Sequence, residues 1–238
     1  MDKFTISKNV QVSPDGYFSK ALSSDFDRHV KKSIPFYNDF ILKMSNLSNF
    51  FVHNRSCVHD LGCSTGTLLQ MMQKVNKNKK DVKYIGIDNS NEMVKVARKN
   101  TKGIKNIKII NSDILQYDFE TSDLIISSLT THFIQPHLRL PLLDKIYKSL
   151  NPKGAFIMLE KVNFTNATIQ SLVGDLYYDF KKSKKLTDRE ILEKNRSLRG
   201  VLDPFDDGEN FQLLNSAGFK KVELLMKIDF FELTLAIK

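Results

Sequence analysis

Val58-His59-Asp60-Leu61-Gly62-Cys63-Ser64-Thr65-Gly66-Thr67-Leu68-Leu69 decides how this chain is read. Four residues of strand character run into a turn bracketed by two glycines, and the turn runs into a helix. Without a Cβ, Gly62 and Gly66 can take positive φ and let a ligand come close to the backbone. The helix start beyond them carries free N–H groups and the positive end of the helix dipole, suited to a carboxylate or phosphate. Asp60 stands at the strand end, where its carboxylate can face a cationic group. The next strand, Tyr84-Ile85-Gly86-Ile87-Asp88, also ends in an acid. In a nucleotide-binding βαβ unit that acid receives ribose hydroxyls.

The spacing is D-x-G-x-x-x-G rather than G-x-G-x-x-G. It points away from a dinucleotide and toward S-adenosylmethionine, whose aminoacyl end needs an acid and backbone rather than a phosphate cradle. A glycine turn after a strand can be purely structural. The second acid-ended strand with Asn89 behind it, and Ser112-Asp113-Ile114 after a third strand, outweigh that reading.

Outward from this core the chain alternates strand and helix. Residues up to about Ser13 show no periodicity, and 1–17 are expected to be a flexible N-terminus. Phe18 to Phe51 looks helical, broken at Ser33-Ile34-Pro35 because a residue before proline avoids helical φ/ψ. Pro35 suits the first turn of a second helix, with Phe36, Phe40, Ile41, Met44 and Leu47 on its apolar face. Strands are expected at 58–61, 84–87, 107–110, 123–128 and 155–161. Helices are expected at 67–75, at 91–100 with Ser90 or Asn91 as N-cap, and from the end of strand four to about Leu150. Asn151-Pro152-Lys153-Gly154 reads as a stop and turn. A helical insertion, 166–200, carries the amphipathic face Ile169, Leu172, Val173, Leu176 and Phe180, and is read as a lid or a dimer-forming element. A helix at 207–216 and a hairpin of 222–228 with 231–237 close the chain. The fold class is therefore α/β: a Rossmann-like class I methyltransferase fold with a seven-stranded, mostly parallel sheet, and residues 18–238 form one domain.

The 238 residues suffice for a full core. Neither a membrane-length apolar run nor an apolar N-terminal signal segment is seen. Cys57 and Cys63 form no C-x-x-C and are read as reduced thiols of a cytoplasmic protein. The five histidines have no ligand spacing, so no metal site is expected. The net charge of +9 suits an anionic substrate or nucleic acid. Many of its lysines are scattered singly, which favours plain composition over a tRNA-binding face.

From about Phe18 to its end the chain resembles the carboxy-S-adenosyl-L-methionine synthases. The likeness rests on Lys32-Ser33-Ile34-Pro35-Phe36-Tyr37, Asp60-Leu61-Gly62-Cys63-Ser64, Ile87-Asp88-Asn89-Ser90, Leu142-Leu143-Asp144-Lys145-Ile146-Tyr147 and Leu150-Asn151-Pro152-Lys153-Gly154-Ala155. Glu160-Lys161, Asp179-Phe180-Lys181, Arg196-Ser197 and Ala217-Gly218-Phe219 complete it. The glycine turn is common to many methyltransferases; the proline–tyrosine entry, Glu160-Lys161 and Arg196-Ser197 together are far more specific.

The resemblance implies a reaction other than methyl transfer. Prephenate loses carbon dioxide to give phenylpyruvate, and the deprotonated S-methyl carbon of bound S-adenosylmethionine captures it. A partner tRNA carboxymethyltransferase then uses the carboxymethyl sulfonium product to make 5-oxyacetyluridine at the wobble position. It also implies a homodimer and the ligand contacts. Tyr37 packs on or bonds the cofactor. Gly62, Cys63 and Ser64 lie under its aminoacyl part. Asp88, with Asn89, takes the ribose hydroxyls, and Asp113 and Ile114 frame the adenine. Arg196, the expected catalytic cation, binds the new carboxylate from the neighbouring subunit; Arg199 competes for that role. At the end of strand four the family favours asparagine where this chain has Ser128.

Two other readings compete. A conventional methyltransferase of a small molecule or tRNA would share the fold but have no use for a cation facing the methyl group. A non-catalytic RNA-binding module would need a contiguous basic face with aromatic platforms. Single residues also have plainer roles open to them: His132 as structure, Tyr177 and Tyr178 as packing, and Glu160-Lys161 as an ion pair or, through the lysine, a holder of a dianionic substrate.

Overall fold

The structure is a computed structural model and describes residues 26–238. The expectations for residues 1–17 and for a helix beginning at Phe18 lie outside the described residues. Two helices, α1 (Phe26–Ser33) and α2 (Tyr37–Phe51), lead into the alternating core. That core runs β1 (Cys57–Leu61), α3 (Thr67–Val75), β2 (Lys83–Asp88), α4 (Asn91–Asn100), β3 (Ile107–Asn111), β4 (Ser122–Ser128), α5 (Pro136–Ser149) and β5 (Leu150–Lys161). Helices α6 (Ala167–Ser183) and α7 (Asp188–Ser197) follow, then α8 (Asp207–Ser216) and the strands β6 (Lys221–Ile228) and β7 (Phe231–Ile237).

The seven strands form one sheet in the order β3-β2-β1-β4-β5-β7-β6. β1 to β5 are parallel; β7 pairs antiparallel with both β5 and β6, so β7 alone runs against the other strands. Side chains alternate between the faces of a strand, so β4 sends Leu124 and Ile126 to one core and Ile125 to the other. The first core packs under α2, α3 and α4 through Phe40, Met44, Leu69, Met72 and Ala97. The second packs under α5 and α8 through Leu143, Ile146, Leu214 and Phe219. Covered on both faces, β1 is buried along its whole length, as a central parallel strand must be.

Three expectations need correction. Pro35 precedes α2 rather than opening it: Phe36 sits at the N-cap with φ 53, and its side chain is 61% exposed rather than on the apolar face. Asn151–Gly154 does not separate helix from strand, because β5 begins at Leu150 and takes these residues as an irregularity in its pairing with β4. Asn151 donates its side-chain N–H to Asp123 at 2.8 Å, and Lys153 takes φ 67, which absorbs the extra residues without breaking the strand. The insertion is two helices rather than one. α6 ends before Lys185 (φ 64), and Thr187 opens α7 with a capping box to Glu190.

Candidate active site

The strand order reverses between β1 and β4, the place where an open α/β sheet leaves a crevice beyond its strand ends. Gly62 (φ 70), Ser64 (φ 49) and Gly66 (φ 75) shape the turn leaving β1. At Gly62 glycine is required twice over, because a Cβ there would stand 2.3 Å from the Thr130 hydroxyl oxygen. Thr130 in turn donates to the Leu61 carbonyl at 2.9 Å and ties the loop after β4 to the end of β1.

Asp88 holds the turn from the other side. Its carboxylate accepts the Ser64 N–H and the Ser90 N–H, each at 2.9 Å. Its own carbonyl accepts from Ser112 N–H and from the Asn111 side chain, which fixes the β3 end beside it. Gly62 and Cys63 both donate N–H to the Ile87 carbonyl, and Gly66 donates to Cys63. The N–H groups of Gly62, Cys63, Ser64 and Gly66 are thus engaged within the protein, so these four residues offer a ligand shape and carbonyl oxygen. Cys63 is buried, and its Sγ lies where a Cβ on Gly86 would come within 2.7 Å. Its side chain therefore packs on β2.

Asp60 is different. It is 2% exposed and accepts no side-chain hydrogen bond among the described residues. Burial, and then Asp88, raise its pKa from 3.8 to about 7. A buried carboxyl without a partner is costly unless a cation comes to it. Burial also raises the pKa of Tyr37, with the charges of Asp27 and Asp60 adding to it.

Asn89 is exposed next to Asp88, Ser128 is half-buried at the end of β4, and Ile114 is buried. Asp113 spends one oxygen on the Leu115 N–H at 2.9 Å, which leaves the other for a ligand. These residues all gather along the ends of β1 to β4. Arg196 does not join them within the chain. It is exposed in the last turn of α7, and its side chain makes no hydrogen bond or ion pair among the described residues; Arg199 is exposed as well.

Glu160 and Lys161 do not form an ion pair. Glu160 is buried and accepts N–H groups from Thr130, Thr131 and His132, nesting the short 3-10 turn Thr131–Phe133. His132 closes on the same carboxylate at 2.7 Å and is structural. Sequence reading missed Thr130, Glu160 in this role, and Asp27. Asp27 accepts the hydroxyls of Thr65 and Thr67, both at 2.9 Å, and so binds α1 onto the turn. No spacing signal links residues so far apart in sequence.

The residues fit a ligand with a cationic head and a ribose: a buried acid with no side-chain hydrogen bond among the described residues, a second acid with lone pairs to spare, and a turn shaped by glycine. Among the described residues no group of His, Cys, Asp and Glu could hold a metal ion, and no helix is long and apolar enough to cross a membrane.

Comparison with known proteins agrees with that fit. A family described as a methyltransferase domain matches residues 53–214. A carboxy-S-adenosyl-L-methionine synthase of Staphylococcus epidermidis is 37% identical over 220 residues, 92% of this chain and 95% of that protein. Those of Campylobacter jejuni and Nautilia profundicola are 36% identical, each over 93% of this chain and 93% and 94% of theirs. Among solved structures, human N-acetylserotonin methyltransferase in complex with SAM superposes with a TM-score of 0.62 at 18% identity, covering 92% of this chain and 56% of that one. A SAM-dependent methyltransferase from Aquifex aeolicus does so with 0.59 at 16% identity, covering 92% and 98%. At such identities these two speak for the fold.

Proposed function

Because the chain belongs to the carboxy-S-adenosyl-L-methionine synthase family, we propose that it carboxylates S-adenosylmethionine with the carbon dioxide lost by prephenate, which sheds its ring hydroxyl in the same conversion to phenylpyruvate; that hydroxide and the proton given up by the S-methyl carbon leave as water. The observation that carries the cofactor half is Asp60: buried, without a side-chain hydrogen bond among the described residues, and with its pKa raised to about 7 by burial and by Asp88. Its carboxylate receives the ammonium of the aminoacyl group. Asp88, already fixed by Ser64 and Ser90, accepts the ribose hydroxyls with its remaining lone pairs, and Asn89 flanks them. Asp113 and Ile114 border the adenine, Ser128 reaches the ligand from β4, and Tyr37 closes over it from α2. When bound, S-adenosylmethionine supplies the S-methyl carbon that becomes carboxylated.

The chain acts as a homodimer in this reading. On α6, Ile169, Leu172 and Leu176 are exposed, at 45%, 60% and 61%, while Val173 and Tyr177 pack inward on the first core. An outward apolar stripe on a surface helix marks an interface. Across that interface the partner subunit's copy of Arg196 meets the new carboxylate. The product then passes to a tRNA carboxymethyltransferase for wobble-uridine modification. The free, buried Cys57 and Cys63 accord with the reducing cytoplasm.

The test is the mass of the nucleoside that copurifies with the protein, and of the one formed on adding prephenate. A species heavier than S-adenosylmethionine by one carbon dioxide supports the proposal. S-adenosylhomocysteine with a methylated acceptor would return the chain to conventional methyl transfer.

A further inference from the structure

Beneath the helical insertion two lysines stand without a counter-ion among the described residues. Lys161 is the last residue of β5 and is half-buried; Lys181, near the end of α6, is only 7% exposed. The Lys181 Nζ lies 3.7 Å from the centre of the Tyr177 ring, and the Lys161 Nζ lies 5.8 Å from the same ring and 5.3 Å from that of Phe230. Neither ammonium makes a hydrogen bond or an ion pair among the described residues. The acids nearby are committed elsewhere. Glu160 is filled by three backbone N–H groups, and Glu232 pairs with Lys227 at 2.5 Å. The Tyr177 hydroxyl donates to the Ser33 carbonyl at 2.7 Å.

Ring faces attract cations but do not replace lost water. Burial accordingly pushes both lysines down, Lys181 to about 8 with Lys161 adding its repulsion. Two mutually repelling cations over one aromatic floor are resolved by an anion that enters between them. Their place in the fold says which anion. Lys161 lies two residues beyond Leu159, which pairs with Ser128 at the crevice. Tyr177 is fastened to Ser33, four residues before Tyr37. The crevice therefore has an acidic side, Asp60 and Asp88, and a basic side under the insertion.

We propose that Lys161 and Lys181 form the carboxylate-binding subsite for the second substrate, with Tyr177 and Phe230 as the apolar floor beneath its ring. This rests on the prephenate reading, and the experiment separates the two. Prephenate is titrated calorimetrically into protein saturated with S-adenosylmethionine, for the wild type, Lys161→Met, Lys181→Met and Lys181→Arg. Methionine keeps the apolar stem over the ring, so folding is preserved. Lys161→Gln and Lys181→Gln serve where it is not, and circular dichroism checks each variant.

Each methionine variant is expected to weaken prephenate tenfold or more, with S-adenosylmethionine affinity within twofold of wild type, and Lys181→Arg to recover most of the loss. Unchanged prephenate affinity overturns the subsite. So does an equal loss of S-adenosylmethionine, which would give the lysines to the cofactor's own carboxylate or to packing, and so does an absence of saturable prephenate binding in the wild type. Lysine-dependent binding without carboxylated product keeps the subsite and defeats the reaction. Carboxylated product at unchanged KM in the variants does the reverse.

Discussion

The Asp88 carboxylate accepts the Ser64 backbone N–H at 2.9 Å, so the acid proposed to take the ribose is also the clamp on the glycine turn. The end of β2 and the turn after β1 are thus one unit. Asp88→Ala should weaken S-adenosylmethionine by about 2–4 kcal/mol, because two hydroxyls lose a charged acceptor and the turn loses its brace. Asp88→Asn should fall between, since its amide oxygen can serve Ser64 or the ribose but not all partners at once. Calorimetry with a thermal melt on each variant separates lost binding from lost folding; full affinity in Asp88→Ala would remove the residue from the site.

Asp60 sets a pH dependence. Its folded pKa is raised to about 7 from 3.8, so the folded chain binds more protons than the unfolded one between those values. The stability it contributes is present below about pH 4 and lost as pH rises through 7. Asp60→Asn should therefore stabilise the ligand-free protein at pH 8, by about 2 kcal/mol. It should weaken the cationic cofactor at the same pH. In the wild type, S-adenosylmethionine affinity should fall as pH drops below 7, with a proton released on binding. Titrations in two buffers of different ionisation heat read that proton directly, and a binding heat independent of buffer would mean that Asp60 does not face the ammonium.

Gly62→Ala should cost about 2–4 kcal/mol of stability, because φ 70 is strained for alanine and the new Cβ overlaps the Thr130 side chain. Removing the overlap with Thr130→Ala in the same chain should recover part only, since the strain stays and Leu61 loses its hydroxyl donor. Urea denaturation of the two single variants and the double variant gives the coupling; simple additivity would show that the predicted overlap is not the cause.

The parts of this architecture legible in sequence were those set by local pattern. The apolar runs at Val58, Tyr84 and Leu124, and the acids ending two of these strands, are short-range signals, and the sheet follows from them. The stop at Asn151-Pro152-Lys153-Gly154 was misread because a bulge and a turn use the same residues; only the Asp123 partner across β4 tells them apart. Asp27, Thr130 and Lys181 act across the fold through contacts that no spacing encodes. Asp60 was legible by its place at a strand end, but its want of a partner became visible only with its neighbours in place.

The exposed apolar stripe on α6 is the surface on which the proposed dimer depends. Leu172→Glu with Leu176→Glu places two charges on an exposed apolar surface and should leave the monomer fold intact, since neither side chain packs on the core. It should convert a dimer to a monomer at micromolar concentration by light scattering. A wild type that is already monomeric under those conditions would end the interface, and with it any arginine lent between subunits.

Arg196 is the residue proposed to tell the carboxylated product from S-adenosylmethionine. It is exposed in one chain and makes no hydrogen bond or ion pair among the described residues, as suits a side chain completed by a second subunit. The product and S-adenosylmethionine differ by one carboxylate next to the sulfonium, and a buried carboxylate needs a hydrogen-bonded partner. A guanidinium keeps its charge at working pH, and its fork matches both oxygens. Arg196→Ala should thus leave S-adenosylmethionine nearly untouched and weaken the carboxylated product by about 2–4 kcal/mol. Arg196→Lys should recover only part, being a point charge. Competition binding of both ligands to the three proteins reads the difference. The Leu172→Glu/Leu176→Glu chain, with Arg196 intact but no partner to lend it, should show the same selective loss. Equal losses for both ligands in Arg196→Ala would leave that arginine shaping the pocket only, and the selectivity would then be sought at Arg199.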